Sequence, residues 1–394
     1  MATRLLAGIA LLALGCIEGG IDRVDEVGPD DEVETRPELD VCETLICVDE
    51  LPAAIDGALS GSTPQGFEAY GCDLPGTFLG DETVYRFELD SEGFVAAALS
   101  NASDQSSVIV LLDSLDASDC IDGHESAVGA LLPAGEYFLA VDTAAGSAPE
   151  FSLNVAHTSE AALEAAGLNP QLASDALTVF SNAWSWGATR RTEYTIVDFS
   201  LHSADKRQWV FDLSTNELLW NMRVVHGRNS TDGENPAWAV SFSNTPGSHQ
   251  SSLGLQRAAG TYVGTYGPSF RMEGLEPAFN DRVCSRAIVM HPWAPAGDAY
   301  VDRCGFTYPS WGCPAIDDEI SLPVRNRLSR PDGASMEYGS LMFYWHPSTD
   351  WYNDSVYLHG AEPTAELLLQ QTAECDSSYD GTPSPPKESD FACQ

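Results

Sequence analysis

Positive charge is scarce in this chain. Lys and Arg number 19 against 59 Asp and Glu, a formal net charge of −40 over 394 residues. A surface of that sign repels phosphate backbones, which excludes nucleic acid as a partner and adsorption by charge to an anionic membrane. Long apolar runs are also missing. The run Leu5–Leu14, after the basic start Met1-Ala2-Thr3-Arg4, is too short to span a bilayer as a mature helix, and no later run is long enough. A calcium loop is missing too: Asp113, Asp116, Asp119 and Asp122 recur every third residue, without the alternating ligands and glycine such a loop needs. A solvated acidic hairpin tip is expected there. No metal or other cofactor is implied.

What is present begins with an export address. The early run ends in Ala13-Leu14-Gly15-Cys16, which resembles a bacterial lipoprotein signal over residues 1–16, with Cys16 lipidated as the new N-terminus. An ordinary secretory signal cleaved nearby is the alternative. Both send the chain out of the cytoplasm, and the first holds it in the cell envelope, periplasmic or outer-membrane, by lipid alone. Residues 17–50 carry Asp25, Glu26, Asp30, Asp31, Glu32, Glu34 and Glu38 with few large apolar side chains. Such a stretch is expected to be a disordered, extended tether.

Ten cysteines fit an oxidising compartment. With Cys16 assigned to lipid and Cys313 to chemistry, the remaining cysteines allow roughly a hundred pairings. The most local set is Cys42–Cys47, Cys72–Cys120, Cys284–Cys304 and Cys375–Cys393.

Residues 51–157 alternate with period two in Thr83–Leu89 and Glu136–Asp142. Phe94–Leu99, Ser107–Leu112 and Phe151–Val155 add short strands between Gly, Pro, Asn and Asp, as in a small sandwich. This stretch resembles the bacterial pre-peptidase C-terminal domain, which implies a jelly-roll-like β-sandwich appended to a secreted enzyme. Thr158–Gly167 and Pro170–Trp186 have helical spacing, with starts at Thr158-Ser159-Glu160 and Asn169-Pro170. They lead a unit over 158–370 with strands at Glu193–Phe199, Gln208–Leu213, Glu217–Val225 and Arg286–Met290. Residues 371–394 read as a flexible Ser/Pro/Asp-rich tail.

The chemistry concentrates at Ser310-Trp311-Gly312-Cys313-Pro314-Ala315, with His291 upstream at the end of a strand-like run. A thiolate attacks acyl carbon well once something takes its proton or holds its charge. Ser310 and Gly312 permit a tight turn whose amides approach a developing oxyanion. Asp317-Asp318-Glu319 opens a helix whose positive end would lower the Cys313 pKa. Spacing alone leaves an equal alternative: a Cys304–Cys313 disulfide and a core histidine.

Four motifs run in order. They are Phe242-Ser243-Asn244-Thr245-Pro246-Gly247-Ser248-His249-Gln250-Ser251-Ser252-Leu253-Gly254, Gly274–Asp281, Ser285–His291 and Ser310–Ala315. Together they resemble the murein L,D-transpeptidase catalytic-domain family, the divergent YkuD-like branch, over about Leu177–Pro347. The resemblance implies a mostly β fold with a few helices and a cysteine-nucleophile acyltransferase acting on peptidoglycan stem tetrapeptides. Cys313 would be the nucleophile and His291 the base, with the oxyanion held at the Ser310–Gly312 turn. His226, His249, Trp311, Arg271, Asn280 and Arg286 are candidates to line the donor site or bind stem carboxylates. A structural hydrogen-bonding role is the alternative for His226, and a buried ion pair for Arg286. Trp311 stands where the commoner branch has His, and Pro292 where it has a small residue. Release of D-Ala to water, or a non-catalytic wall-binding lipoprotein, are the competing functions. Neither oligomeric state nor acyl acceptor is legible.

Overall fold

The computed structural model describes residues 42, 45–59, 66–74, 76–100, 107–143, 150–233, 235–347, 349–360, 375, 387 and 391–393. The lipidation site expected at Cys16 lies outside them, as do all but a few residues of the tether.

The first half is a two-sheet sandwich. Its strands are β1 (Ile46–Val48), β2 (Ala53–Ala58), β3 (Thr83–Leu89), β4 (Gly93–Ser100), β5 (Ser107–Leu112), β6 (Cys120–His124), β7 (Ala127–Leu132), β8 (Gly135–Thr143) and β9 (Glu150–Thr158). One sheet has the order β1-β3-β8-β5-β6, the other β2-β9-β4-β7. Between them Val95, Ala97, Ile109, Leu111, Leu139 and Val141 close one core. The remaining faces are covered as well. Val108, Val110 and Leu112 of β5 pack beneath Phe67, Tyr70 and Leu74. On β4, Phe94 and Ala96 join the cluster built around the following helix. Burial on both faces is why these two strands read as unbroken apolar runs instead of alternating.

Next come α1 (Glu160–Ala165) and α2 (Pro170–Ser185). The Ser159 and Asn169 side chains accept the amides of Ala162 and Leu172, and Pro170 occupies the first helical position, where its missing N–H costs nothing. Phe180 meets Phe94 edge-on at 4.9 Å, so sandwich and second half share one apolar cluster.

The second half is organised by β10 (Glu193–Asp198), β11 (Gln208–Asp212), β12 (Glu217–Met222), the small ribbon β13 (Thr231–Asp232) and β14 (Asn235–Ala239), and the long hairpin β15 (Gly254–Gly264) and β16 (Gly267–Gly274). They are followed by β17 (Val289–Pro292), α3 (Asp298–Cys304), β18 (Ala315–Ile316), α4 (Asp318–Leu328), β19 (Leu341–Trp345), α5 (Thr349–Asp354) and α6 (Val356–His359). Eight of the strands form one sheet in the order β12-β11-β10-β19-β15-β16-β17-β18. The molecule is mostly β, a sandwich followed by a β-rich unit with a few helices. No helix among the described residues is long and apolar enough to cross a membrane.

Three expectations are corrected. The strand before His291 begins at Val289, not Arg286, because the preceding stretch is a wound turn in which the Ala287 amide bonds the Cys284 carbonyl. His291 therefore lies inside a strand. The disulfides Cys42–Cys47 and Cys72–Cys120 are as expected, but the other two are Cys284–Cys375 and Cys304–Cys393. The C-terminal cysteines thus reach back across the chain, so the tail is stapled at both of its described cysteines. Last, Asp122 is not part of a solvated tip. It accepts from Trp184 Nε1 at 2.7 Å, Arg190 at 3.0 Å and the Gly129 amide at 3.0 Å, tying sandwich to helix.

Candidate functional site

The turn that carries Cys313 hangs between two neighbouring segments. On one side the Ser310 amide donates to the His226 carbonyl at 2.9 Å, and the Arg228 amide donates to the Ser310 carbonyl at 2.7 Å. On the other side β18 runs parallel to β17, with Ala315 opposite His291 and Ile316 opposite Pro292. Adjacent strands lie about 4.8 Å apart, so this register brings Cys313 and His291 to the same end of one strand pair.

Inside the turn, Ser310 Oγ donates to the Cys313 carbonyl at 2.7 Å and accepts the Gly312 amide at 3.0 Å. Gly312 holds φ +115°, and a Cβ there would stand 2.8 Å from the Gln250 carbonyl oxygen, so only glycine fits without strain. The Gly312 amide expected to face an oxyanion is therefore committed to closing the turn, and Ser310 acts as its clasp.

Cys313 is half-buried and is the only free cysteine among the described residues. Its Sγ lies 3.8 Å from the Ala287 carbonyl. Burial pushes the thiol up to about 11, while the Val289 amide and the nearby Arg286 charge pull the other way. The lowered pKa expected from the helix at Asp318 is thus not what prevails: desolvation of the thiolate outweighs the favourable charges.

His291 is 3 % exposed. Its Nδ1–H donates to the Pro292 carbonyl at 2.9 Å, which leaves Nε2 with its lone pair. The ring stacks on Tyr266 at 4.4 Å and meets Trp293 edge-on at 5.6 Å. Burial lowers its pKa to about 4, the Pro292 bond opposing, so the imidazole is neutral at pH 7. Pro292, whose ring offers no donor, orients the base through its carbonyl.

Both residues line a cavity of about 510 Å³. Ser310, Trp311, His249 and Arg286 line it too, with Tyr266, Trp293, Tyr308 and Phe391. In a chain of net charge −40, these walls carry no carboxylate side chain among the described residues. Trp311 is 67 % exposed and stacks on His249 at 4.8 Å, forming a flat outer wall. Arg286 donates from Nη1 to the Ser243 carbonyl and Ser252 Oγ, and from Nη2 to Ser248 Oγ and the Gln250 carbonyl. All four terminal N–H groups are thereby engaged with the 243–252 segment, so Arg286 acts on the cavity through its field.

The other candidates stand elsewhere. Asn280 is fully buried, its amide nitrogen donating to the Leu253 and Leu255 carbonyls and its oxygen accepting the Glu276 amide. Arg271 is outside the cavity lining, its guanidinium 4.4 Å above the Tyr262 ring. His226 is fully buried and accepts from Arg207 at 2.7 Å through Nδ1, which makes it a structural histidine. The aromatic residues Tyr266, Trp293, Tyr308 and Phe391 were not singled out in the sequence. Trp293, two positions after His291, carried the one local signal.

Residues 164–333 match the YkuD_2 family model, described as the L,D-transpeptidase catalytic domain. No curated protein matches the chain. Among solved structures, the chain is similar to the pre-peptidase C-terminal domain of a collagenase from Bacillus anthracis, at 16% identity and TM-score 0.22, covering 28% of this chain and 93% of that one. It is also similar to PliG of Aeromonas hydrophila, a periplasmic inhibitor of g-type lysozyme, at 14% identity and TM-score 0.21, covering 29% and 98%. Neither likeness is close enough to carry a functional conclusion.

Proposed function

From the premise that residues 164–333 are an L,D-transpeptidase catalytic domain, we propose that the chain is a cysteine-dependent peptidoglycan L,D-transpeptidase acting on stem tetrapeptides. The observation that carries the reading is a free cysteine sharing one cavity, with no carboxylate among its described lining residues, with a histidine whose Nδ1 is tied back to the Pro292 carbonyl.

With the thiol raised and the imidazole lowered, the resting pair is neutral on both sides. His291 Nε2 takes the thiol proton as Sγ attacks the carbonyl carbon before the terminal D-Ala. An S–C bond forms and the carbonyl electron pair moves onto oxygen. The Gly312 amide being engaged, the Cys313 amide is the donor the turn offers to that oxyanion, a contribution of about 2.7–4 kcal/mol by analogy with other oxyanion donors. When the C–N bond breaks, D-Ala leaves with the proton from His291, and a thioester remains. An amine of a second stem then attacks the thioester, His291 takes its proton, and the Cys313 thiol is restored. The chain would work in the cell envelope, held by lipid on Cys16.

Incubation with purified tetrapeptide muropeptides, followed by intact-mass analysis, tests this. The wild type is expected to gain an acyl mass on the Cys313 peptide and to yield cross-linked stems, and Cys313→Ala to yield neither. Tripeptides without cross-links would make the chain an L,D-carboxypeptidase. Equal product from Cys313→Ala would end the reading.

A further inference from the structure

One wall of the cavity comes from the far end of the chain. Phe391 lines the cavity beside Tyr308 and Trp293, its ring centroid 4.7 Å from the first and 4.9 Å from the second. It belongs to none of the motifs around Cys313 and lies outside the segment that matches the family model. Phe391 is held in place at three successive residues. Its carbonyl accepts from Arg303 at 3.2 Å, the next carbonyl, of Ala392, accepts from the Tyr300 hydroxyl at 3.4 Å, and Cys393 is bonded to Cys304. Tyr300, Arg303 and Cys304 all belong to α3, so a single helix carries the whole clamp.

We infer that Phe391 is a specificity-determining residue: it closes the aromatic end of the Cys313 cavity and sets the size of the group that reaches the thiol. The Cys304–Cys393 disulfide is the device that keeps it there. The wall formed by Trp293, Tyr308 and Phe391 is aromatic and uncharged, so selection at this end works by shape and apolar contact, not by ion pairing. For peptidoglycan stems the inference rests on the acyl transfer proposed above. For access to the thiol it stands on the geometry alone.

The experiment compares two thiol reagents on the full chain, iodoacetamide as the small probe and a pyrene maleimide as the bulky one. Labelling is read as a rate on the Cys313 peptide by mass spectrometry. Phe391→Ala is expected to speed the bulky reagent by about 10-fold or more, the scale of discrimination an apolar pocket supplies, with little change for the small one. Cys304→Ser/Cys393→Ser should show the same selective gain with Phe391 still present, and Phe391→Trp the opposite. With muropeptides, Phe391→Ala should raise relative kcat/KM for stems ending in a D-residue larger than Ala. An unchanged ratio of bulky to small labelling overturns the inference, and so does an equal rise for both reagents, which would make Phe391 a stabiliser of the fold. If the wild type turns over no muropeptide, the acyl-transfer reading fails while the labelling ratio still decides the wall.

Discussion

The sandwich and the sheet that follows it bury different things. In β4 and β5 the buried side chains are almost all apolar, alternate residues serving two separate cores. The second half buries ionisable groups in number: Arg207, Arg257, Glu273, Glu276, His226 and His291 are each at most 3 % exposed. Arg257 and Glu273, opposite one another on β15 and β16, pair at 2.7 Å, and Arg330 adds a second bond to Glu273. Buried charge of this kind stabilises poorly compared with well-packed apolar side chains, yet removing one partner is costly. The comparison teaches that the sandwich, whose buried carboxylates Glu82 and Asp142 fasten the 66–70 segment, rests mainly on apolar burial, whereas the second half uses buried charge far more widely to hold its segments in place.

The sharpest way to break that comparison is at the base. His291→Ala should cut kcat/KM for muropeptide by about 10²–10⁴-fold with the fold retained, the usual range for a general base. In the wild type, kcat/KM should fall with acid only as the pH drops through about 4, because burial disfavours the imidazolium. A limb near the ordinary histidine value of 6.5 would show that burial does not hold the imidazole neutral, and no loss of rate in His291→Ala would remove His291 from the role. The second test is on the sandwich side. Leu139→Ala, at a fully buried position between the sheets, should cost about 2–5 kcal/mol of unfolding free energy in a denaturant titration. Labelling of Cys313 under native conditions should not change. A matching loss of Cys313 labelling selectivity would show that the two halves do not divide the work as described. The smallest effect is expected at their junction. Asp122→Ala strips the Trp184 indole N–H and the Arg190 guanidinium of an acceptor and should cost about 1–3 kcal/mol. Stability unchanged to within a few tenths of a kcal/mol would show that water replaces the carboxylate there.

Legibility followed the same division. The period-two run of β3, and the caps Ser159 and Asn169, are local signals, and the elements stand within a residue or two of where those signals put them. The strand read at Glu136–Asp142 is there as β8, but the alternation read for it fails, because Tyr137, Leu139 and Val141 face one core and Phe138 and Ala140 another. Cys313 and His291 were picked out as a pair by the resemblance of the motifs around them, spacing alone leaving a disulfide and a core histidine equally open, and the structure brings the two to one cavity with Cys313 unpaired. The candidates that scattered, Asn280, Arg271 and His226, share a reason: a polar side chain in sequence does not reveal whether backbone carbonyls or another side chain will engage it. Arg286 shows this well, its four terminal donors meeting residues from Ser243 to Ser252 that lie some forty positions upstream.

By itself, the sequence determined the class of fold, the acidic and disulfide-bearing character of the chain, and which cysteine and which histidine to look for together. Each depends on composition or on neighbours within a few positions, where propensity and chain geometry act directly. Only the tertiary structure decided that the thiol is raised and not lowered, that the Gly312 amide is committed to Ser310, that Cys284 and Cys304 reach to Cys375 and Cys393, and that Phe391 closes the cavity. Desolvation, disulfide partners and cavity walls are set by segments distant in sequence, and they exist only once packing has brought those segments together.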